Sequence, residues 1–220
     1  LKKYVKEHEV RDLRLSCVLS GANLNFDKLR YVAERTELGE KKEAVLAVTI
    51  PERPGAFVEF CHALGGRAIT EFNYRFYDRR QAQIFVGVKL PDLPRELPNL
   101  VSRLVSAEYC VENLSDNEIA KLHVRHMVGG KPAEPLNERF YSFEFPEYPG
   151  ALSKFLHTLG RSWNITLFHY RNHGAAFGQV LVAFEATDLD KSKLARHLDH
   201  VGFRWRDETN NSSFKAFIIG

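Results

Sequence analysis

The stretch VLAVTIPERPGAFVEFCHALGG at residues 45–66 returns as FYSFEFPEYPGALSKFLHTLGR at residues 140–161, and this repetition decides the fold. Pro51, Glu52, Pro54, Gly55, Ala56, Phe60, Leu64 and Gly65 match Pro146, Glu147, Pro149, Gly150, Ala151, Phe155, Leu159 and Gly160, each 95 positions on. A one-residue insertion near Trp163 lengthens the offset to 96, after which Ile69, Thr70, Phe72, Tyr74, Arg75 and Gln83 match Ile165, Thr166, Phe168, Tyr170, Arg171 and Gln179. So many identities in one order mark a duplicated unit.

Within each copy the periodicity reads strand, helix, strand, strand, helix, strand. Leu46, Val48 and Ile50 alternate with Val45, Ala47 and Thr49, as Tyr141, Phe143 and Phe145 do in the second copy. Phe57, Phe60, Cys61 and Leu64 then fall at helical spacing, as do Leu152, Phe155, Leu156 and Leu159. Strands follow at 69–77 and 83–90, mirrored at 165–171 and 179–185. Leu97, Val101, Leu104 and Val105 predict a second helix, as do Leu194, Leu198 and Val201, and closing strands are expected near 121–128 and 214–219. The fold class is therefore α+β: two ferredoxin-like βαββαβ modules, each an antiparallel sheet with helices on one face. The turn-rich run 129–137 joins them, giving expected modules at 44–130 and 138–220. The bare face of each sheet needs cover, from the other module or from a second chain.

The formal charge of +3 comes from 31 basic and 28 acidic residues dispersed along the chain, which argues against a nucleic-acid arm or a basic membrane patch. Cys17, Cys61 and Cys110 are odd in number and widely spaced, the usage of a reducing, cytoplasmic setting. The sequence opens at Leu1 and reads as part of a longer protein.

These residues resemble a known family, the twin ACT-like regulatory modules of threonine deaminase, also called threonine ammonia-lyase or threonine dehydratase. The resemblance rests on the P-E-x-P-G-A turns at 51–56 and 146–151, ITEFNYR at 69–75, NITLFHYR at 164–171 and DETNN at 207–211. Residues 1–40 resemble the end of that enzyme's pyridoxal-phosphate domain, with LSGAN at 19–23 as signature and a neck helix from Asn25, its N-cap, to Gly39. The resemblance implies that Ser20 hydrogen-bonds the cofactor's pyridine nitrogen in the full-length enzyme. The Schiff-base lysine and phosphate loop have no counterpart here, and Lys2 and Lys3 do not replace the lysine, so no catalytic residue and no cofactor bound to this chain alone are expected. It further implies a lyase of isoleucine biosynthesis, converting L-threonine to 2-oxobutanoate and ammonia, with isoleucine as feedback inhibitor and valine as its antagonist. The expected partners are the enzyme's own catalytic domain and further copies in a dimer or tetramer.

A free amino acid presents a carboxylate, an ammonium and an apolar side chain. Helix N-termini offer backbone N–H groups and partial positive charge to an anion, and both Pro-Gly corners stand where a helix begins. The expected effector contacts are therefore Pro54, Gly55, Ala56 and Phe57 in the first copy and Pro149, Gly150, Ala151 and Leu152 in the second. Tyr74 and Tyr170, on the neighbouring strands, are assigned to effector through the resemblance, with Asn73 and His169 adding polar contacts. Leu152 differs from Phe57 and His169 from Asn73, so the two sites are expected to be unequal, one favouring isoleucine and the other valine. Tyr74→Ala and Tyr170→Ala are expected to alter effector binding without unfolding the chain.

Competing chemistry is weaker. Cys61 lies on an apolar stripe beside His62, which a helix turns elsewhere, so a nucleophile and base pair is not formed. His123 and His126, read on a strand, point to opposite faces, and His169 and His173 have no further ligands beside them, so no metal site is expected. Asp207 and Glu208 read as loop decoration. The rival reading is RNA binding, with bases stacked on Phe72, Tyr74, Phe168 and Tyr170 beside Arg75 and Arg171, but the third strand reads QIFVGVKL in place of the aromatic pattern such modules carry. An assembly module with decayed sites is a third reading.

Overall fold

The computed structural model describes residues 2–8, 14–16, 29, 32, 42–146, 148, 150–159, 162–172 and 177–218. The chain divides into two compact units, Leu1–Glu40 and Lys41–Gly220. In the first, a short helix α1 spans Lys2–Glu7. Of the expected neck helix, Leu29 and Val32 are helical and exposed, while Asn25 and Gly39 lie outside the described residues, as do Ser20 and the rest of LSGAN.

The second unit is one eight-stranded sheet. Its first half runs β1 (Glu43–Pro51), α2 (Ala56–Leu64), β2 (Ile69–Arg75), β3 (Gln81–Lys89), α3 (Leu93–Ser106), β4 (Cys110–Asn113) and the short helix α4 (Glu118–Leu122). The second half repeats this as β5 (Glu138–Pro146), α5 (Ala151–Leu159), β6 (Ile165–Arg171), β7 (Phe177–Glu185), α6 (Lys191–Val201), β8 (Arg204–Asp207) and α7 (Ser212–Phe217). The strand order β4-β1-β3-β2-β6-β7-β5-β8 makes every adjacent pair antiparallel. The two expected sheets are thus halves of one, fused where β2 meets β6.

That fusion sets the symmetry of the molecule. Asn73 pairs with His169, its own counterpart in the duplication, so an internal twofold passes between them. The same operation sets Phe72 opposite Tyr170 and Tyr74 opposite Phe168. On the helix side it brings His62 of α2 to His157 of α5, with the two Nε2 atoms 3.0 Å apart. Aromatic packing crosses the seam: the Phe72 and Phe168 rings meet edge to face at 5.4 Å.

The closing strands lie earlier than expected. Cys110–Asn113 and Arg204–Asp207 pair with β1 and β5, whereas the segments near 121–128 and 214–219 are helical where described. Asn117 and Asn211 explain this locally, since each caps a helix by accepting a backbone N–H, from Ala120 and from Ser213. These helices cover the face of the sheet opposite α2 and α5. In the first half Val45, Phe85, Leu114 and Ala120 form a small core there; in the second Phe140, Leu167 and Ala183 pack with Phe214 and Ile218. The bare face is therefore covered from within the chain. His123 and His126 belong to this cover, at a helix end and a 3-10 turn, not to a strand. The second helix of the first half faces the core with the expected Leu97, Val101 and Leu104, joined by Leu93 and Leu100, while Val105 is exposed.

Candidate functional site

Both Pro-Gly corners have the same backbone design. Arg53 and Tyr148 donate N–H to the Pro51 and Pro146 carbonyls, and Glu59 and Lys154 close the first helical turn on Gly55 and Gly150. Gly55 and Gly150 both sit at φ 91°, a left-handed conformation that glycine adopts without strain. Glycine is thus required here by the turn. Pro149 lies outside the described residues.

The twofold sets each corner against the far end of the other half's first helix, and the two resulting spaces differ sharply. Around the second corner lies a cavity of about 360 Å³. Gly150, Ala151, Leu152 and Ser153 form one wall with Phe145 and Tyr170, and Cys61, Gly65, Gly66, Arg67, Ala68 and Ile69 form the other. The space at the first corner is about 10 Å³, at the threshold for a single water. Pro54, Gly55 and Phe57 there meet Leu156, Leu159, Trp163 and Ile165.

The contents of the first corner explain its closure. The Phe57 ring packs edge-on to Tyr74 at 4.9 Å, and Tyr74, 1% exposed, donates its hydroxyl to the Glu52 carboxylate. Tyr74 is a core residue with a satisfied hydroxyl, so Tyr74→Ala removes packing as well as any contact. Burial pushes the Tyr74 hydroxyl up and pushes the Glu52 carboxyl up to about 7, outweighing the bonds from Tyr74 and Asn164 that favour the carboxylate. Glu52 therefore holds its proton more tightly folded than unfolded. Its contribution to stability is complete below about pH 4.5 and is lost as pH rises through about 7. Glu52→Gln, which keeps an acceptor for Tyr74, should flatten this dependence and gain roughly 1–3 kcal/mol over the parent at pH 8 after discounting for solvent screening. Urea midpoints at pH 5 and pH 8 provide the check.

Asn73 and His169 do not join either corner. Successive strand residues point to opposite faces, so once Tyr74 and Tyr170 lie under the helices their neighbours lie on the other side. Asn73 donates there to Glu71 (2.7 Å) and to the Arg125 carbonyl (3.1 Å), and His169 is exposed. The same geometry removes the RNA reading: Phe72, Tyr74, Phe168 and Tyr170 are all buried on the helix side, where no base can stack on them. Cys61 is buried, and burial pushes its thiol up to about 12, far from a nucleophile's range. Among the described residues no cluster of three or more His, Cys, Asp or Glu is placed to hold a metal, and no helix is long and apolar enough to cross a membrane.

Arg67 is the site residue that the periodicity did not single out. Its Nη1 donates to the Leu64 carbonyl at 2.9 Å, while its Nε is buried without a hydrogen-bond partner at the wall of the large cavity. Leaving a buried donor without an acceptor is costly, so this wall of the cavity favours an acceptor. The available signal was divergence: the copies agree up to Gly65 and Gly160, then read Gly66-Arg67 in one and Arg161-Ser162 in the other, next to the insertion.

Comparison with known proteins bears directly on this architecture. Residues 34–124 and 129–218 each match the family described as the C-terminal regulatory domain of threonine dehydratase. All 220 residues align at 56% identity with the biosynthetic L-threonine dehydratases IlvA of Salmonella typhimurium and of Escherichia coli, covering 43% of each. The mitochondrial threonine dehydratase of Schizosaccharomyces pombe is 41% identical over 99% of the chain and 36% of its own length. The chain thus spans less than half the length of these relatives, and residues 34–124 and 129–218 of it match the regulatory part. With the family matched twice in tandem and the two matches fused into one sheet, the chain belongs to the C-terminal regulatory domains of threonine dehydratase.

Proposed function

We propose that this chain senses branched-chain amino acids for a biosynthetic threonine dehydratase, the lyase that converts L-threonine to 2-oxobutanoate and ammonia, with isoleucine as feedback inhibitor and valine as antagonist. Residues 1–40 are then the tail of a catalytic pyridoxal-phosphate domain and its neck, with Ser20 toward the cofactor. Residues 44–130 and 138–220 are the two modules, and the whole enzyme is a cytoplasmic homo-oligomer. The observation that carries the reading is the cavity of about 360 Å³ in which an unpaired buried Arg67 Nε and the N-terminal turn of α5 share one space with an apolar wall. Arg67 and the helix N-terminus answer the carboxylate. Leu152, Ile69 and Phe145 answer the side chain, and Tyr170 and the strand-end carbonyls answer the ammonium. A pure assembly module has no need of such a space. Coupling to the catalytic part follows if effector binds one arrangement of the domains more tightly than another.

Titration calorimetry of the chain with isoleucine, valine and threonine in parallel tests the reading. Isoleucine should bind, and Arg67→Ala should weaken it at least tenfold, since a charge-assisted hydrogen bond contributes about 1.5–3 kcal/mol. Leu152→Phe, which copies the first corner, should weaken it as well by filling the apolar wall. Full isoleucine affinity in both variants would remove the cavity from consideration.

A further inference from the structure

The internal twofold brings two histidines of the first helices into contact. We propose that His62 and His157 form a binding site for a divalent transition ion of the zinc, nickel and copper class, which clamps the two halves of the sheet unit together. The inference is independent of the sensing function. It departs from the expectation of no metal site, which weighed only histidines close in sequence.

His62 and His157 are equivalent positions of the duplication, 95 residues apart, and each lies exposed in the last turn of its helix, α2 or α5. Their Nε2 atoms stand 3.0 Å apart. Two nitrogens at about 2.0–2.1 Å from one ion lie roughly 2.8–3.0 Å apart when they subtend a right angle, and about 3.3–3.4 Å apart in a tetrahedron. The spacing therefore fits a square-planar or octahedral ion as it stands, and a tetrahedral one after a small shift. The ring centroids are 4.9 Å apart, closer than nitrogens pointing straight at each other allow, so the imidazoles meet at an angle, as two ligands of one ion do.

The hydrogen bonding sets the tautomer that an ion needs. His157 Nδ1 lies 2.8 Å from the Ser153 carbonyl, which only accepts, so Nδ1 carries the hydrogen and the Nε2 lone pair faces His62. Ligand histidines are commonly held in this way, through the other ring nitrogen. His62 Nε2 donates its N–H to that lone pair; an ion taking its place moves this proton to Nδ1, which leaves both lone pairs to the ion. Two helix C-termini also converge here, and their partial negative charge favours a cation. Arg103 Nη2, which donates to the His62 carbonyl at 3.2 Å, opposes it, so the imidazoles must supply the affinity. That excludes magnesium and calcium, which take oxygen ligands.

Calorimetric titration of the untagged chain with Ni²⁺ is the test. Because the chain holds nine histidines, the tightest step is the one compared across variants. His62→Ala and His157→Ala should each weaken it at least roughly tenfold. The double variant should bind no more weakly than either single, since one imidazole cannot chelate. Both side chains are exposed, so the variants should fold; His62→Gln repeats the measurement should His62→Ala unfold. Electron paramagnetic resonance of the Cu²⁺ adduct should show coupling to two imidazole nitrogens in the parent and to one in each single variant. Saturating Ni²⁺ should raise the Tm of the parent and not that of the double variant. Absent Ni²⁺ binding, unchanged affinity in a folded single variant, losses that add in the double, coupling to one nitrogen in the parent or an unshifted parent Tm would each overturn the inference and leave the pair as a hydrogen bond between neutral rings.

Discussion

Arg75→Ala is expected to destabilise the Lys41–Gly220 unit by about 3–5 kcal/mol, because it strands a buried carboxylate. Arg75 leaves β2 and spends its guanidinium on the other half. Nη1 and Nη2 form a two-pronged pair with Glu138 of β5 at 2.5 and 3.0 Å, Nη1 also donates to the Thr166 carbonyl, Nη2 to the Ile218 carbonyl, and Nε to the Gly130 carbonyl in the connecting segment. Every donor of the fork is used, and both side chains are almost wholly buried. Removing the arginine leaves Glu138 with Thr166 Oγ1 as its remaining neutral donor. The cost is that of an uncompensated charge, not the net worth of the pair, and the two differ: Arg75→Met with Glu138→Leu should recover most of the loss. Urea midpoints for both single variants and the double variant give the coupling directly. A loss below about 1 kcal/mol for Arg75→Ala would mean that the seam does not depend on this pair.

The sequence made the repeat, the core strands and the first helices plain, because alternation and helical spacing are local properties that tertiary packing reinforces. It misread the module ends for the same reason. Residues 121–128 and 214–219 are apolar enough to look like strands, but Asn117 and Asn211 start helices ahead of them, and each sheet had already closed on a shorter, more polar edge strand. Pattern alone could not tell an edge strand such as Arg204–Asp207 from a loop. At the candidate site, duplication flagged the Pro-Gly corners and the family resemblance flagged Tyr170, which lines the cavity, whereas Asn73 and His169 were grouped with them by adjacency, which a pleated strand contradicts. Arg67 and Trp163 escaped notice because they are contributed from across the seam. No reading of a single module reveals what its partner places in the cavity.

Phe72→Ala should cost about 3–5 kcal/mol, the range for truncating a buried phenylalanine when the void cannot collapse. Collapse is hindered here. Phe72 is 1% exposed and lies among the Phe57, Phe60 and Phe168 rings at 5.4, 6.2 and 5.4 Å, under α2 and beside the internal twofold. Fixed backbone surrounds it on both sides, since β2 is hydrogen-bonded to β3 and β6. Its loss should reach the open cavity too, because Phe72 stands directly opposite Tyr170 in the β2–β6 register and Tyr170 lines that cavity. Phe72→Ala is therefore expected to lower isoleucine affinity together with stability, whereas Phe72→Leu should retain most of both. Phe168, its counterpart, offers the control: a cycle of Phe72→Ala and Phe168→Ala should return a coupling of about 0.5–1.5 kcal/mol if the edge-to-face contact joins the halves. Additive losses within experimental error would show that each ring serves only its own module and that the seam is held by other contacts.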